Sequence, residues 1–153
     1  KDKMMKPRYQ DIPSSEIPET SDDEGTVWAK VIAGRALGIE AVIDTVIPIT
    51  LIHVRLKPGA TYTQACETDH NVMLYAFGGS VKVAGKPLED GGLGLLSPGD
   101  SVTMTAGKKG AELLILGGPE LGEPIARYGP FVMNTRQEIY QAVKDYNEGT
   151  FAA

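Results

Sequence analysis

Short apolar runs of β type alternate with turn residues throughout residues 59–118. The runs are only five or six residues long, and the breaks at Gly78–Gly79, Gly85–Pro87, Pro98–Asp100 and Ala106–Gly107 carry turn-forming residues. Such spacing favours an antiparallel sandwich or barrel over a parallel α/β sheet. The predicted fold is all-β and of jelly-roll type, with strands at Val72–Phe77, Ser80–Ala84, Leu93–Ser97, Ser101–Thr105 and Ala111–Leu116. The glycine pairs Gly91–Gly92 and Gly117–Gly118 are predicted to be further tight turns.

Two strands are predicted before this stretch. Thr26–Ile32 alternates, with Val27, Ala29 and Val31 on one face. Thr45–Leu56 contains Pro48, which cannot donate to a ladder and therefore indicates an edge strand or a bulge. In the second half of that strand Ile52, Val54 and Leu56 share one face, so His53 is predicted to point away from the core.

The pattern divides the chain into three parts. Residues 1–25 are predicted to be a linker, because three prolines and the acidic run Ser21–Glu24 oppose a buried ladder. Residues 26–133 form the barrel domain, and residues 134–153 form one C-terminal helix. The chain opens with Lys1 rather than methionine, which suggests a trimmed product or the downstream piece of a longer protein.

The helix has both of its ends marked in the sequence. Thr135 is the predicted N-cap with Glu138 as its capping-box partner, and Gly149 is placed to end the helix. Its apolar stripe consists of Ile139, Ala142, Val143 and Tyr146. This stripe must be buried, either on the barrel of the same chain or on a neighbouring domain.

Composition limits the class of protein further. The chain has 153 residues and a modest net charge of −5, with positive and negative side chains interspersed and no basic stripe. This distribution argues against direct binding of nucleic acid. Its single cysteine, Cys66, cannot form an internal disulfide and suits a reducing compartment. No apolar run is long enough to span a membrane and no signal peptide is visible, so we expect localisation in the cytoplasm, the nucleus or both.

The glycine spacing resembles that of a cupin. Cupins bind metal through two motifs, Gly-x5-His-x-His-x3-4-Glu-x6-Gly and Gly-x5-Pro-x-Gly-x2-His-x3-Asn. Counting from Gly59 reaches Ala65, Glu67, Asn71 and Gly78, and counting from Gly99 places Gly110 at the last histidine. Only Glu67 could hold a metal, whereas iron needs about three protein ligands. The sequence therefore predicts a cupin barrel without its metal site.

His70 lies close to this region and could form a substitute metal site together with Glu67 and Asp69. The alternative is that residues 66–71 form a polar loop on the barrel rim, which is common for loop tips. A lone metalloenzyme built on Glu67, His70 and His53 is the hypothesis that the ligand count favours least.

Four segments give the chain a more specific resemblance. Arg8–Pro13, Val31–Gly38, Gly117–Pro124 and Tyr128–Thr135 together resemble the C-terminal half of a pirin, over essentially the whole chain. The resemblance implies two jelly-roll domains packed face to face, with an iron held by three histidines and a glutamate in the N-terminal half. None of those ligands is present here, so no cofactor is expected in this segment.

The resemblance implies a structural role for this chain. Pirins resemble quercetin 2,3-dioxygenases and are described as nuclear and cytoplasmic transcriptional co-regulators. We expect this segment to support an iron-binding N-terminal cupin half, or to self-associate, and to catalyse nothing alone. Transcription factors are expected partners through the resemblance only. The predicted interface residues are Tyr128, Phe131, Met133, Ile139, Val143 and Tyr146.

A second hypothesis is a stand-alone cupin that binds a small ligand or a protein partner. Its pocket would be the barrel mouth, which is a common ligand site. The predicted lining residues are Tyr62, Gln64, Glu67, Tyr75 and Lys82, although both tyrosines could equally be barrel packing.

Overall fold

The computed structural model describes residues 2–151, which form two compact units. One unit spans Asp11–Glu120; the other joins Lys1–Gln10 to Leu121–Ala153, within the described range. These boundaries differ from the predicted 1–25, 26–133 and 134–153. They differ because residues 11–25 lie with the sheet, whereas the last short strands lie with the helix.

Twelve strands and one helix make up the described chain. The strands of the larger unit are β1 Glu19–Ser21, β2 Val27–Ala33, β3 Arg35–Ala36, β4 Ile39–Glu40, β5 Thr50–Leu56, β6 Thr61–Ala65, β7 His70–Val83, β8 Lys86–Glu89, β9 Leu93–Leu95 and β10 Ser101–Pro119. The smaller unit contains β11 Ala126–Tyr128, β12 Phe131–Met133 and α1 Arg136–Glu148. The predicted all-β sandwich with one C-terminal helix is confirmed.

The long strands β7 and β10 run through both layers of the sandwich. In one layer the order is β1-β2-β5-β10-β7, with β9 on the outer side of β7. In the other layer, the first part of β10 pairs with β6 on one side and with the last part of β7 on the other. That last part of β7 also pairs with β8. Alternate residues point into the core between the layers, where Ile52, Val54, Leu74, Leu113 and Ile115 have no exposed surface.

Glycines allow these two strands to change layer. The pairing register of β7 and β10 shifts between Ala106 and Ala111, opposite Gly79–Val81, and again between Glu112 and Leu113, just before Gly78 on the partner strand. Gly79 has a φ of 68°, and a Cβ added there would lie 2.1 Å from the carbonyl oxygen of Gly110. Only glycine permits both this backbone conformation and this close approach. The predicted breaks at Gly78–Gly79 and Ala106–Gly107 are therefore bends within continuous strands, not turns.

Other predicted boundaries need correction as well. β5 begins at Thr50, so Pro48 precedes the strand instead of lying inside it, as its missing N–H requires. Gly117–Gly118 is not a turn but lies near the end of β10, where Gly117 pairs with both β5 and β7 and Gly118 pairs with β7. The strands β6 and β8 were not predicted.

The predicted linker contains an edge strand. β1 pairs with β2 through Thr20 and Ala29, and the turn between them is held by Asp22. The Asp22 carboxylate accepts hydrogen bonds from the Thr26 and Val27 amides, at 2.7 and 3.0 Å, and from the Thr26 hydroxyl. The Val27 bond contributes most to lowering the pKa of Asp22. The acidic run is thus partly a structured turn.

The smaller unit contains the helix and a two-stranded hairpin. Thr135 caps α1 in a complete capping box with Glu138, and Gly149 ends it in the left-handed conformation, which confirms both predicted ends. Ile139 and Ala142 pack with Met133, Ala126 and Phe131 of the hairpin. α1 has 13 residues, and no helix in the described range has the length and hydropathy of a membrane span.

Candidate functional site

A cavity of about 350 Å³ opens at one end of the sandwich, where β6 and β7 are joined. Its walls come from three places: the end of β2 with β3 and β4, the irregular segment before β5, and the β6–β7 connection. The lining residues that carry polar or ionisable groups are Arg35, Glu40, Asp44, Thr45, Thr50, Gln64, Cys66, Glu67 and His70. This cavity is the barrel mouth that the second sequence hypothesis invoked.

A buried pair of polar side chains lies beneath the mouth. Tyr62 and Gln64 project inward from β6 and are only 6% and 5% exposed. The Tyr62 hydroxyl donates to Gln64 Oε1, and Gln64 Nε2 donates to the carbonyl oxygens of Arg35 and Ala65 at 3.0 and 2.8 Å. Burial raises the pKa of Tyr62 to about 12, so it remains a neutral donor at ordinary pH. The pair is satisfied internally and needs no ligand to pair with it.

The connection after β6 supplies Cys66, Glu67 and His70 to the mouth. Burial raises the pKa of the Cys66 thiol, and the negative Asp100 and Glu67 raise it further. Because the thiolate is the form that attacks electrophiles and binds metals, a protonated Cys66 is poorly suited to either task. The His70 amide donates to the Glu67 carbonyl at 3.1 Å, which closes a polar turn on the rim.

The residues present do not fit an iron site. Of the four cupin ligand positions, Asn71 is exposed and Gly110 lies at the bend between the layers. Ala65 offers no ligand atom, so Glu67 is alone among these positions in carrying a carboxylate. No group of three or more His, Cys, Asp or Glu residues within the described range could hold a metal ion. The polar groups of this mouth can donate and accept hydrogen bonds, but they do not supply the roughly three converging ligands that iron needs.

His53 lies away from the mouth, on the outer face of β5 as its alternation predicts. Its Nε2 lies 2.7 Å from Glu112 Oε1, to which Arg55 Nε also donates at 2.9 Å. The Arg55 hydrogen bond contributes most to lowering the pKa of Glu112, with a smaller contribution from His53. His53 is therefore part of a surface cluster and cannot join Glu67 and His70.

The structure brings together only part of the predicted pocket. Gln64 and Glu67 line the mouth, with Tyr62 bonded to Gln64 just below it. Tyr75 and Lys82 are exposed on the outer face of β7, because the inward positions of that strand are taken by Leu74, Ala76 and Val81. Sequence reasoning missed Asp44 and Thr45, since an irregular segment gives no periodic signal for the direction of its side chains.

The predicted interface residues separate into two groups. Met133 and Ile139 are buried within the hairpin–helix cluster, so their surface is not available to a partner. Phe131 packs edge-on against Tyr146 and Phe151. Tyr128 and Tyr146 are about two-thirds exposed, and Val143 shares a groove with Tyr128 and with Ile125 and Tyr140, which were not predicted.

The comparisons with known proteins agree with this geometry. The crystal structure of a quercetin 2,3-dioxygenase from Acinetobacter baumannii superposes with a TM-score of 0.82 at 32% identity, over 95% of this chain and 51% of that one. Pirin from Homo sapiens is 36% identical over 150 residues, and a pirin-like protein from Solanum lycopersicum is 34% identical over 156 residues.

This chain covers 95% and 97% of its own length in those two alignments, but only 51% and 52% of the relatives. It therefore spans about half the length of the curated relatives that it matches. The sequence profile of the Pirin C-terminal cupin domain matches residues 51–152, which is most of the chain. The chain belongs to the pirin family, through the C-terminal cupin domain of that family.

Proposed function

We propose that this chain is the metal-free C-terminal half of a two-cupin pirin-type protein, in which it supports a separate N-terminal half that binds iron. The observation that carries this proposal is the ligand set of the mouth. Only Glu67 remains at the cupin ligand positions, and the space below it is occupied by the Tyr62–Gln64 pair. A barrel with this interior is suited to packing and recognition and not to holding a catalytic ion.

The relatives support the second part of the proposal. Pirin from Homo sapiens and the Acinetobacter quercetin 2,3-dioxygenase are each about twice as long as the region matched here. Oxidation of a flavonol such as quercetin would then be an activity of the whole protein, with the iron and its histidines in the other half. Binding of transcription factors and residence in the nucleus or cytoplasm belong to the same proposal.

The test is metal content and turnover of this chain by itself. We expect elemental analysis after incubation with ferrous iron to find essentially no iron, and we expect no oxygen consumption with quercetin. A variant with Glu67→Gln and His70→Gln is the matched control and should behave as the wild type does. One iron per chain that this variant loses, together with quercetin oxidation, would contradict the proposal.

The cavity at the mouth keeps a second candidate function open, namely a stand-alone cupin that binds a small polar ligand. Its volume of about 350 Å³ is at the lower end of the usual range for ligand sites. Measuring the binding of quercetin to the chain in the absence of iron discriminates the two functions. Saturable binding by a monomeric wild-type chain, lost in Glu67→Gln, would favour the second candidate.

A further inference from the structure

The layer that contains β2, β5, β10, β7 and β9 has apolar residues on both faces. Its inward face is the core. On its outward face the pairing register aligns Leu51, Leu116, Met73 and Leu95 in one row across four strands. The next row consists of His53, Leu114, Tyr75 and Leu93. An antiparallel sheet with one face in water normally alternates apolar and polar residues, so this outer sheet face is typical of a sheet covered on both sides.

The outer sheet face is open at the β7–β9 end. Tyr75 and Phe77 are 38% and 39% exposed, and Leu93 and Leu95 are 58% and 76% exposed. Neighbouring large apolar side chains in this arrangement form a patch, and patches on soluble proteins commonly mark interaction sites. Strand pairing and ring stacking place these residues next to one another, so they differ from the singly scattered apolar residues that any protein exposes.

The aromatic side chains of this face are ordered by one another. Trp28 packs edge-on against His53 at 5.1 Å between ring centroids, His53 lies 5.4 Å from Phe77, and Phe77 stacks on Tyr75 at 6.1 Å. Rings that are already held in place lose little rotamer freedom when a partner covers them, which makes them favourable anchors of an interface.

The charges of the outer sheet face are paired within it. Glu112 is bonded to both His53 and Arg55, and the Arg55 guanidinium also lies 4.5 Å above the Trp28 ring. Lys30, on β2 at the other side of this layer, donates a hydrogen bond to Ser14 and forms an ion pair with Glu19. Covering a charge is costly mainly when it is left unpaired, so this face can be buried at a smaller cost than its composition suggests.

We propose that the outer sheet face is the surface on which the N-terminal cupin half docks, an inference that rests on the proposed function. The length of the relatives points to this occupant, because the matched domain is the C-terminal one and about half of each relative lies outside the match. A second cupin offers a sheet of similar size, and two sheets pack face to face through side chains such as these. The docking surface is thus distinct from the hairpin and helix on which the sequence placed it.

The test measures binding of this chain to the separately expressed upstream half of its own gene product, by isothermal titration calorimetry and sedimentation. The double variant Tyr75→Lys, Leu93→Lys places charges on the outer sheet face at two exposed positions, so the fold should survive, which circular dichroism verifies. Tyr140→Lys, an exposed aromatic of the smaller unit, is the matched control. We expect the double variant to weaken binding by at least about tenfold and the control to bind as the wild type does.

Each other outcome separates the inference from the proposed function. If the double variant binds as the wild type does and Tyr140→Lys does not, the docking surface is the hairpin and helix, and only the inference fails. If the wild-type chain ignores the upstream half but forms dimers that the double variant abolishes, the occupant is a second copy, which overturns the inference. The proposed function itself is contradicted if the gene encodes no second cupin. It is also contradicted if the upstream half is folded but binds neither the wild-type chain nor any of its variants.

Discussion

At the scale of single residues, Tyr62 and Gln64 explain why a barrel of this type can be closed without a metal. Both side chains face inward, and each satisfies the other while Gln64 also bonds to two main-chain carbonyls. No buried side-chain nitrogen or oxygen within the described range lacks a hydrogen-bond partner. Since unpaired buried polar groups are costly, this completeness stabilises the barrel end in its present form.

Tyr62 should give the protein a characteristic sensitivity to alkali. Its pKa is raised to about 12 by burial, whereas a tyrosine in an unfolded chain ionises near pH 10. Between those values the unfolded chain loses a proton that the folded chain keeps, so the free energy of unfolding falls by up to about 1.4 kcal/mol per pH unit. The stabilisation is complete below about pH 10 and is lost as the pH rises through the folded value.

Urea unfolding at about pH 9 and about pH 11 measures this slope. Tyr62→Phe is expected to remove this dependence of the unfolding free energy on pH. Tyr128→Phe is the control, because it removes the hydroxyl of an exposed tyrosine in the other unit and should leave the dependence unchanged. An unchanged slope in Tyr62→Phe would show that the alkaline loss of stability arises elsewhere.

At the scale of elements, α1 shows local sequence signals that act without help from the rest of the fold. The capping box uses Thr135 and Glu138, whose side chains bond each other's backbone amides at 3.2 and 2.7 Å. Thr135→Ala should destabilise the helix by about 1 kcal/mol, because the first turn loses one of its acceptors.

Hydrogen exchange of the α1 amides is the appropriate measurement, since it reports on the helix directly. Lys144→Ala removes a solvent-exposed ion pair with Glu148 at 4.0 Å and should cost only about 0.3 kcal/mol, which makes it a control on the same helix. Equal effects of the two substitutions would mean that the cap contributes nothing specific.

At the scale of the larger unit, the decisive feature is that β7 and β10 serve both layers. Neither Gly79 nor Gly110, which lie at the bend, has room for a side chain. A Cβ added to Gly79 would lie 2.1 Å from the carbonyl oxygen of Gly110, and one added to Gly110 would lie 2.6 Å from the carbonyl oxygen of Leu56. The bend therefore depends on two close backbone approaches, one between Gly79 and Gly110 and one between Gly110 and the end of β5.

Gly79→Ala should destabilise this unit by at least about 2 kcal/mol, from the strained φ and the clash together. Gly85→Ala is the matched control, since Gly85 has a φ of 79° with nothing within 4 Å of an added Cβ. It should cost only the conformational strain, about 1 kcal/mol. Thermal unfolding of both variants gives the difference, and equal midpoints would show that the close approach at the bend relaxes freely.

The sequence alone determined whatever depends on neighbours along the chain. Alternation in β2 and β5 predicted the core face and the outward direction of His53, and the cap residues predicted both ends of α1. The glycine spacing and the resemblance predicted the family. The runs Val72–Phe77 and Leu113–Leu116 do not alternate between apolar and polar residues, a pattern that is typical of strands covered on both faces.

Only the tertiary structure decided what depends on contacts between distant segments. It showed that Gly78–Gly79 bends a continuous strand, because the reason lies some thirty residues away at Gly110. It placed Tyr75 outside the pocket and in line with Leu114 and Leu93, which strand pairing fixes and local pattern does not. Periodicity specifies the face of a strand, whereas the register between strands specifies which residues meet, and a site consists of residues that meet.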